Sequence, residues 1–275
     1  MFTLLIILVV VSTSCNGAPS LRIFENSPEN VARLQNLQPG DLAEELSGQF
    51  EGDMILTDEQ YLELFRRNGM IANKYRWPEN TVYYEIEEEY FTEGQINYIL
   101  TAMRTIERAS CVRFRPRDPN NPDYIRVHGD GSGCSATVGH IGGSQSIKLQ
   151  PYELDQGCFR MGSIIHEFIH ALGFRHMQST YNRDEYVQIE WENIQPGTEH
   201  NFLLYEADKV SNFGTEYDYG SIMHYSSTAF SINKQKTIVP LKPTKETMGQ
   251  RVAMSEKDIF KINRMYNCFL KGATT

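Results

Sequence analysis

An unbroken apolar run, Leu4 to Val11, lies near the start of the chain and is closed by small and turn-forming residues through Pro19. It falls short of the roughly 20 residues a membrane helix needs. It reads as a secretory signal peptide over residues 1–17. Further on, apolar positions recur with the helical period. Ile96, Ile99, Met103 and Ile106 share one face, and Thr92 with Gln95 supplies a capping box ahead of them. Ile164, Ile165, Phe168, Ile169 and Leu172 predict a second helix over about 161–172, with Gly173 suited to a left-handed cap after it. Ile259, Ile262 and Tyr266 predict a third, starting near Ser255. Residues 81–86 have strand composition, and Val112 with Phe114 and Ile125 with Val127 suggest two more strands. Ser146 to Leu149, beside a Gly-rich stretch over 129–143, is expected to be an edge strand.

Residues 20–67 differ from the rest, with ten acidic and four basic residues and no cysteine. They end in Arg66-Arg67, a candidate processing site. The same pair also reads as the solvated end of a helix whose apolar side is Tyr61, Leu62, Leu64 and Phe65. Hydrophobic residues make up 40% of the chain, enough for a folded core. A formal charge of −9 argues against nucleic-acid binding, and no second apolar stretch approaches spanning length. Of five cysteines, Cys15 would leave with the signal. The remaining Cys111, Cys134, Cys158 and Cys268 fit two disulfides in an exported chain, with three pairings open.

The strongest chemical signal is His166-Glu167-Phe168-Ile169-His170. Residues four apart on a helix lie on one face, so both imidazoles can reach one ion. Glu167 then stands beside the metal, where it can take a proton from water. Gly173 follows three residues after His170 and can end the helix sharply, and His176 three residues later becomes a third ligand. Three neutral imidazoles that leave one position open are the pattern of catalytic Zn²⁺, one ion per chain. Ser221-Ile222-Met223-His224-Tyr225 supplies an apolar floor through Met223 and a phenol, Tyr225, able to approach the ion or donate to an oxyanion. His224 is left out, since ligation is already accounted for.

With these motifs the chain resembles the astacin family of metzincin zinc proteases. The stretches Cys134-Ser135-Ala136-Thr137-Val138-Gly139, Gly142-Gly143-Ser144-Gln145, Trp191-Glu192-Asn193-Ile194, Tyr217-Asp218-Tyr219-Gly220, Gly249-Gln250-Arg251 and Met265-Tyr266-Asn267-Cys268 carry the same likeness, over about residues 50–268. The resemblance implies an α+β metzincin fold, with a mixed twisted sheet and long helices in an upper lobe and an irregular lower lobe. It implies the pairings Cys111–Cys268 and Cys134–Cys158. It implies that Tyr225 ligates zinc in the resting enzyme and swings away to support the transition state. Phe50-Glu51-Gly52-Asp53 matches the family's inhibitory motif, so Asp53 is expected to ligate zinc in the precursor only, with Phe50 anchored in an apolar pocket. The expected division is a signal peptide over 1–17, a propeptide over 18–67 and a catalytic domain over 68–275. One departure is that Met177 follows the third histidine, where the family typically carries a glutamate facing the new N-terminal ammonium.

The expected product is a secreted, monomeric zinc endopeptidase made as a latent zymogen. It would act on extended polypeptides and depend on an activating protease, with no nucleic-acid or membrane partner. Two rivals predict otherwise. A silent binding module would have lost Glu167 or a zinc histidine, and all are present. A non-peptide amidase would separate from a peptidase on paired protein and small-amide substrates.

Overall fold

The computed structural model describes residues 43–65, 75–205 and 211–270. The expected signal peptide and the Arg66-Arg67 pair lie outside them. Six strands form a mixed sheet in the order β1-β5-β6-β4-β2-β3. They are β1 (Met54–Ile55), β2 (Thr81–Ile86), β3 (Arg113–Pro116), β4 (Tyr124–His128), β5 (Cys134–Thr137) and β6 (Ser144–Leu149). All neighbours run parallel except β5 and β6. Four helices accompany them: α1 (Asp58–Phe65), α2 (Glu93–Ala109), α3 (Met161–Ala171) and α4 (Glu256–Met265). Alternation along the strands sends Ile125, Val127, Ile147 and Leu149 into one core with Ile99, Met103 and Ile106 of α2 and Ile165 and Phe168 of α3.

The predicted helix starts hold. Thr92 and Gln95 form the capping box of α2, and Ser255 with Asp258 forms another at α4. At the end of α3, carbonyls that lack a helical partner are taken up by distant side chains. Trp77 Nε1 donates to Ala171 O at 2.8 Å, and the Tyr266 hydroxyl donates to Leu172 O at 2.9 Å. Gly173 follows with φ 101°, and a Cβ there would meet Met265 Cε at 2.8 Å. The left-handed backbone therefore favours glycine at this turn, while the Met265 methyl is the flexible end of its side chain.

The edge-strand expectation is corrected. β6 pairs with β4 on one side and β5 on the other, so Ser146–Leu149 is internal. Beyond β6 lies β5, and β1 forms the edge of the sheet, pairing with β5 in parallel, Met54 opposite Ala136 and Ile55 opposite Thr137. Alternation records which face of a strand is buried, not which strands flank it, so it could not order the sheet.

Below the sheet the chain is irregular. Short 3₁₀ turns and one antiparallel pair, β7 (Val187–Ile189) with β8 (Ile238–Pro240), enclose a second core of Met177, Phe202, Tyr217, Tyr219, Tyr225 and Phe230. This is the two-lobed α+β arrangement expected. Among the described residues no helix is long and apolar enough to cross a membrane.

The disulfides are Cys111–Cys268 and Cys134–Cys158. The first ties the end of α2 to the C-terminal region. The second ties β5 to the turn before α3. With sequence separations of 157 and 24, loop-closure entropy gives a stabilisation of roughly 3–5 kcal/mol each. Replacing Cys134 and Cys158 together by serine is expected to lower the unfolding free energy by about 3 kcal/mol in a denaturant titration. An unchanged midpoint would contradict this.

Candidate active site

α3 presents His166 and His170 one turn apart, and the turn at Gly173 returns His176 to the same point. The three rings approach with centroids 4.5–5.3 Å apart. Each ring has one nitrogen fixed by a partner outside the cluster. His166 Nδ1 donates to Ile222 O at 2.8 Å, His170 Nδ1 to Phe174 O at 2.8 Å, and His176 Nδ1 to Glu51 Oε2 at 2.9 Å. Such bonds set the tautomer that turns each Nε2 lone pair inward. The loop through Ile222 and Met223 thus braces His166, and Met223 O also accepts from Met177 N at 2.9 Å.

Asp53 completes the cluster. Its carboxylate lies 3.0 Å from His166 Nε2, 3.4 Å from His170 Nε2 and 3.2 Å from His176 Nε2. Four potential ligand atoms, all on buried residues, lie within 4.8 Å of one another. Asp53 Oδ1, His170 Nε2 and His176 Nε2 have no hydrogen-bond partner despite full burial. Zinc bonds of ~2.0–2.2 Å in a tetrahedron place ligand atoms about 3.3–3.6 Å apart, close to these separations. Charge agrees with geometry. Burial and then Arg251 push His166 down to about 3, so it stays neutral as a ligand must. Burial opposes a charge on Asp53, but His176 and His170 outweigh it and hold the carboxyl well below its usual range. Burial likewise opposes a proton on His176, yet Asp53 and Glu51 raise it to about 9. The buried carboxylates thus call for positive charge at this point. A dication would supply it.

Glu167 is fully buried beside the cluster, and neither carboxylate oxygen has a hydrogen-bond partner among the described residues. Burial, then the charges of Asp53 and Glu44, push its carboxyl well above the ordinary range. Tyr225 packs on His176 with centroids 4.6 Å apart, and its hydroxyl donates to Glu51 O at 2.6 Å. Met223 is buried in the core as an apolar floor. His224, set aside in the sequence, is fully committed elsewhere: the Tyr217 hydroxyl meets its Nε2 at 2.7 Å, and its Nδ1 donates to Tyr225 O at 2.7 Å.

Residues 43–55 fill the groove between the lobes. Gly52 has φ 85°, and a Cβ there would meet Phe230 Cζ at 3.1 Å and Glu44 O at 3.3 Å, so only glycine lets the segment lie this close. Phe50 is half-buried against Tyr61 and His200. Several contributors carry no local signal in the sequence. Glu44 accepts from Ser163 Oγ at 2.8 Å, from Arg251 Nε at 3.0 Å and from an Arg160 guanidinium nitrogen at 3.3 Å. Burial opposes its charge, but Arg160 and Arg251 win and hold it at about 2. Glu51 and Tyr205 were also missed. Only Gly249-Gln250-Arg251, noted for its resemblance, pointed toward any of these partners.

Three imidazoles from a helix and its sharp turn, a glutamate beside them and a methionine-bearing loop beneath define a zinc metallopeptidase of the metzincin class. The comparisons with known proteins agree. Residues 69–267 match the model of the astacin peptidase family. The chain is 42% identical over 226 residues to seminal metalloprotease 1 of Drosophila melanogaster, covering 81% of this chain and 88% of that protein. It is 40% identical over 223 residues to zinc metalloproteinase nas-4 of Caenorhabditis elegans, covering 79% and 69%. Among solved structures it is similar to high choriolytic enzyme 1, a hatching-enzyme zinc protease of Oryzias latipes. The TM-score is 0.63 at 38% identity, over 70% of this chain and 93% of that one. The chain belongs to the astacin family and is a zinc-dependent metalloendopeptidase.

Proposed function

We propose that the chain is a secreted zymogen in which residues 18–67 form a propeptide and Asp53 blocks the zinc of a catalytic domain over 68–275. The observation that carries this is the Asp53 carboxylate, 3.0–3.4 Å from all three inward-facing histidine nitrogens. It stands where an attacking water would have to be. The pairing of β1 with β5 adds a second block, because it covers the side of β5 along which an extended substrate would otherwise add as a strand. The hydrogen bond from Tyr225 to Glu51 O adds a third, by engaging the phenol.

In the mature enzyme His166, His170 and His176 would hold the ion. Bound zinc would polarise the scissile carbonyl and acidify the attacking water. Glu167 takes the water's proton and passes one to the leaving amine. Departure of the propeptide removes the Asp53 and Glu44 charges that now disfavour ionised Glu167, which readies it as a base. Tyr225, released from Glu51 O, donates to the developing oxyanion, and is also the candidate resting-state ligand. The substrate lies extended along β5. The two disulfides and the apolar N-terminal run fit an extracellular enzyme.

An activating protease would cut near Arg67, making Asn68 the first mature residue. Met177 offers the new ammonium no carboxylate. A cation already occupies its surroundings, since Lys261 Nζ lies 3.2 Å from Met177 Sδ. The start of the mature chain is therefore expected to tolerate ragged ends within a few residues of Asn68. The test compares the intact precursor with products cut at several positions near Arg67. Peptides and small amides serve as substrates, and a chelator as control. The precursor should be silent, the cleaved forms similarly active on peptides, and the chelator abolishing. An intact precursor as active as its products would reject latency. A sharp optimum at one terminus would reject the ragged start.

A further inference from the structure

Two of the three inward-facing imidazoles are braced by main-chain carbonyls of the catalytic domain, Ile222 O and Phe174 O. The third is braced by the propeptide. His176 Nδ1 donates to Glu51 Oε2 at 2.9 Å, and the Tyr205 hydroxyl donates to Glu51 Oε1 at 2.5 Å. Each carboxylate oxygen thus has its own donor. Glu51 and His176 are 0% and 1% exposed and Tyr205 4%, so the group is sealed from solvent. This pocket is distinct from the metal cluster, because it uses the outward nitrogen of His176 and a tyrosine that takes no part in the cluster.

Glu51 is a costly choice at its position. Its φ is 47°, in the left-handed region that favours glycine or asparagine. It also withdraws a charged side chain from water. A residue needed only to shape the turn would be smaller and neutral. Strain retained at such a point directs attention to what the side chain reaches. Here it reaches the far side of a proposed zinc ligand, while Asp53, two residues on, meets the near side at 3.2 Å.

We infer that the catalytic domain carries a second carboxylate site, formed by His176 Nδ1 and the Tyr205 hydroxyl, and that Glu51 fills it as a latch additional to Asp53. The ligand class is a carboxylate borne on a peptide. The inference rests on the latency reading above. It extends that reading by making closure depend on two acidic side chains that grip opposite edges of one imidazole.

The test uses the full-length precursor as wild type, Glu51→Ala, Glu51→Gln, Asp53→Ala and Tyr205→Phe. Amide hydrogen exchange over residues 49–55 reads opening of the segment, and peptidase activity before cleavage reads leakage. Alanine and glutamate share the same backbone penalty at positive φ, so Glu51→Ala reports on the carboxylate. Loss of a charged, buried hydrogen-bond partner should speed exchange by about 10- to 100-fold, with a parallel rise in leakage. Glu51→Gln, which keeps shape without charge, should fall between. Tyr205→Phe should add little in a Glu51→Ala background, because the two act through one contact. Wild-type exchange in both Glu51 variants, beside faster exchange in Asp53→Ala, would overturn the second site while leaving latency intact. An unaltered Asp53→Ala precursor would count against latency itself, and the Glu51 variants would still decide whether the second site exists.

Discussion

Glu167→Gln in the mature enzyme is expected to keep close to one zinc per chain and to lose about 10²–10⁴-fold in kcat/KM. The amide has nearly the same shape as the carboxylate. None of the three histidines depends on Glu167: Ile222 O and Phe174 O hold the outward nitrogens of His166 and His170, and that of His176 is held by Glu51 in the uncleaved chain. The metal should therefore stay while the proton acceptor disappears. Burial of a side chain with two partnerless oxygens makes no sense as packing, but it suits a group that meets water and substrate during turnover. Glu167→Asp should also be poor, because a shorter arm withdraws the carboxylate from its place. Metal analysis beside steady-state kinetics checks both. Normal turnover by Glu167→Gln would remove Glu167 from the mechanism.

Asp53→Ala acts on the other state of the protein. In the uncleaved precursor it is expected to raise basal peptidase activity by about 10²-fold or more, while the matured enzyme is unchanged. The carboxylate is buried among three imidazoles, and removing one partner from a buried charged group costs about 3–5 kcal/mol, roughly 10²–10⁴ in the closed population. Tethering strengthens the block, since a linked group competes at an effective concentration commonly in the millimolar range. Anchors remain in the variant. Glu44 still meets Arg160, Ser163 and Arg251, and β1 can still pair with β5, so leakage should stop short of full activity. Assay of the intact Asp53→Ala precursor, with cleavage blocked at Arg66-Arg67, gives the answer. A variant as silent as wild type would count against the Asp53 block on which the latency reading rests.

The metal site was legible because its parts are close in sequence and follow fixed periods. His166 and His170 obey the helical repeat, Gly173 signals the turn, and His176 follows at once. The capping box at Thr92 was legible for the same reason: it is closed within three residues. Asp53, the fourth member of the cluster, was reached through family resemblance alone, because it lies 113 residues before His166.

Other features depended on which distant segments meet. Residue types at 146–149 predicted a strand, but its place between β4 and β5 follows from hydrogen bonds with strands elsewhere in the chain. The partners that orient the imidazoles are equally remote. Ile222 is 56 residues from His166, and Glu51 is 125 residues from His176. A main-chain carbonyl such as Ile222 O has no identity in a sequence at all, since every residue has one. Glu44 and Glu51 look like ordinary solvated acids in an acidic segment, and only burial beside Arg160, Arg251 and Tyr205 gives them work. Helical periods and caps are fixed by neighbours a few bonds away, whereas burial, pairing order and the environment of a charge are fixed by chain packing across the whole molecule.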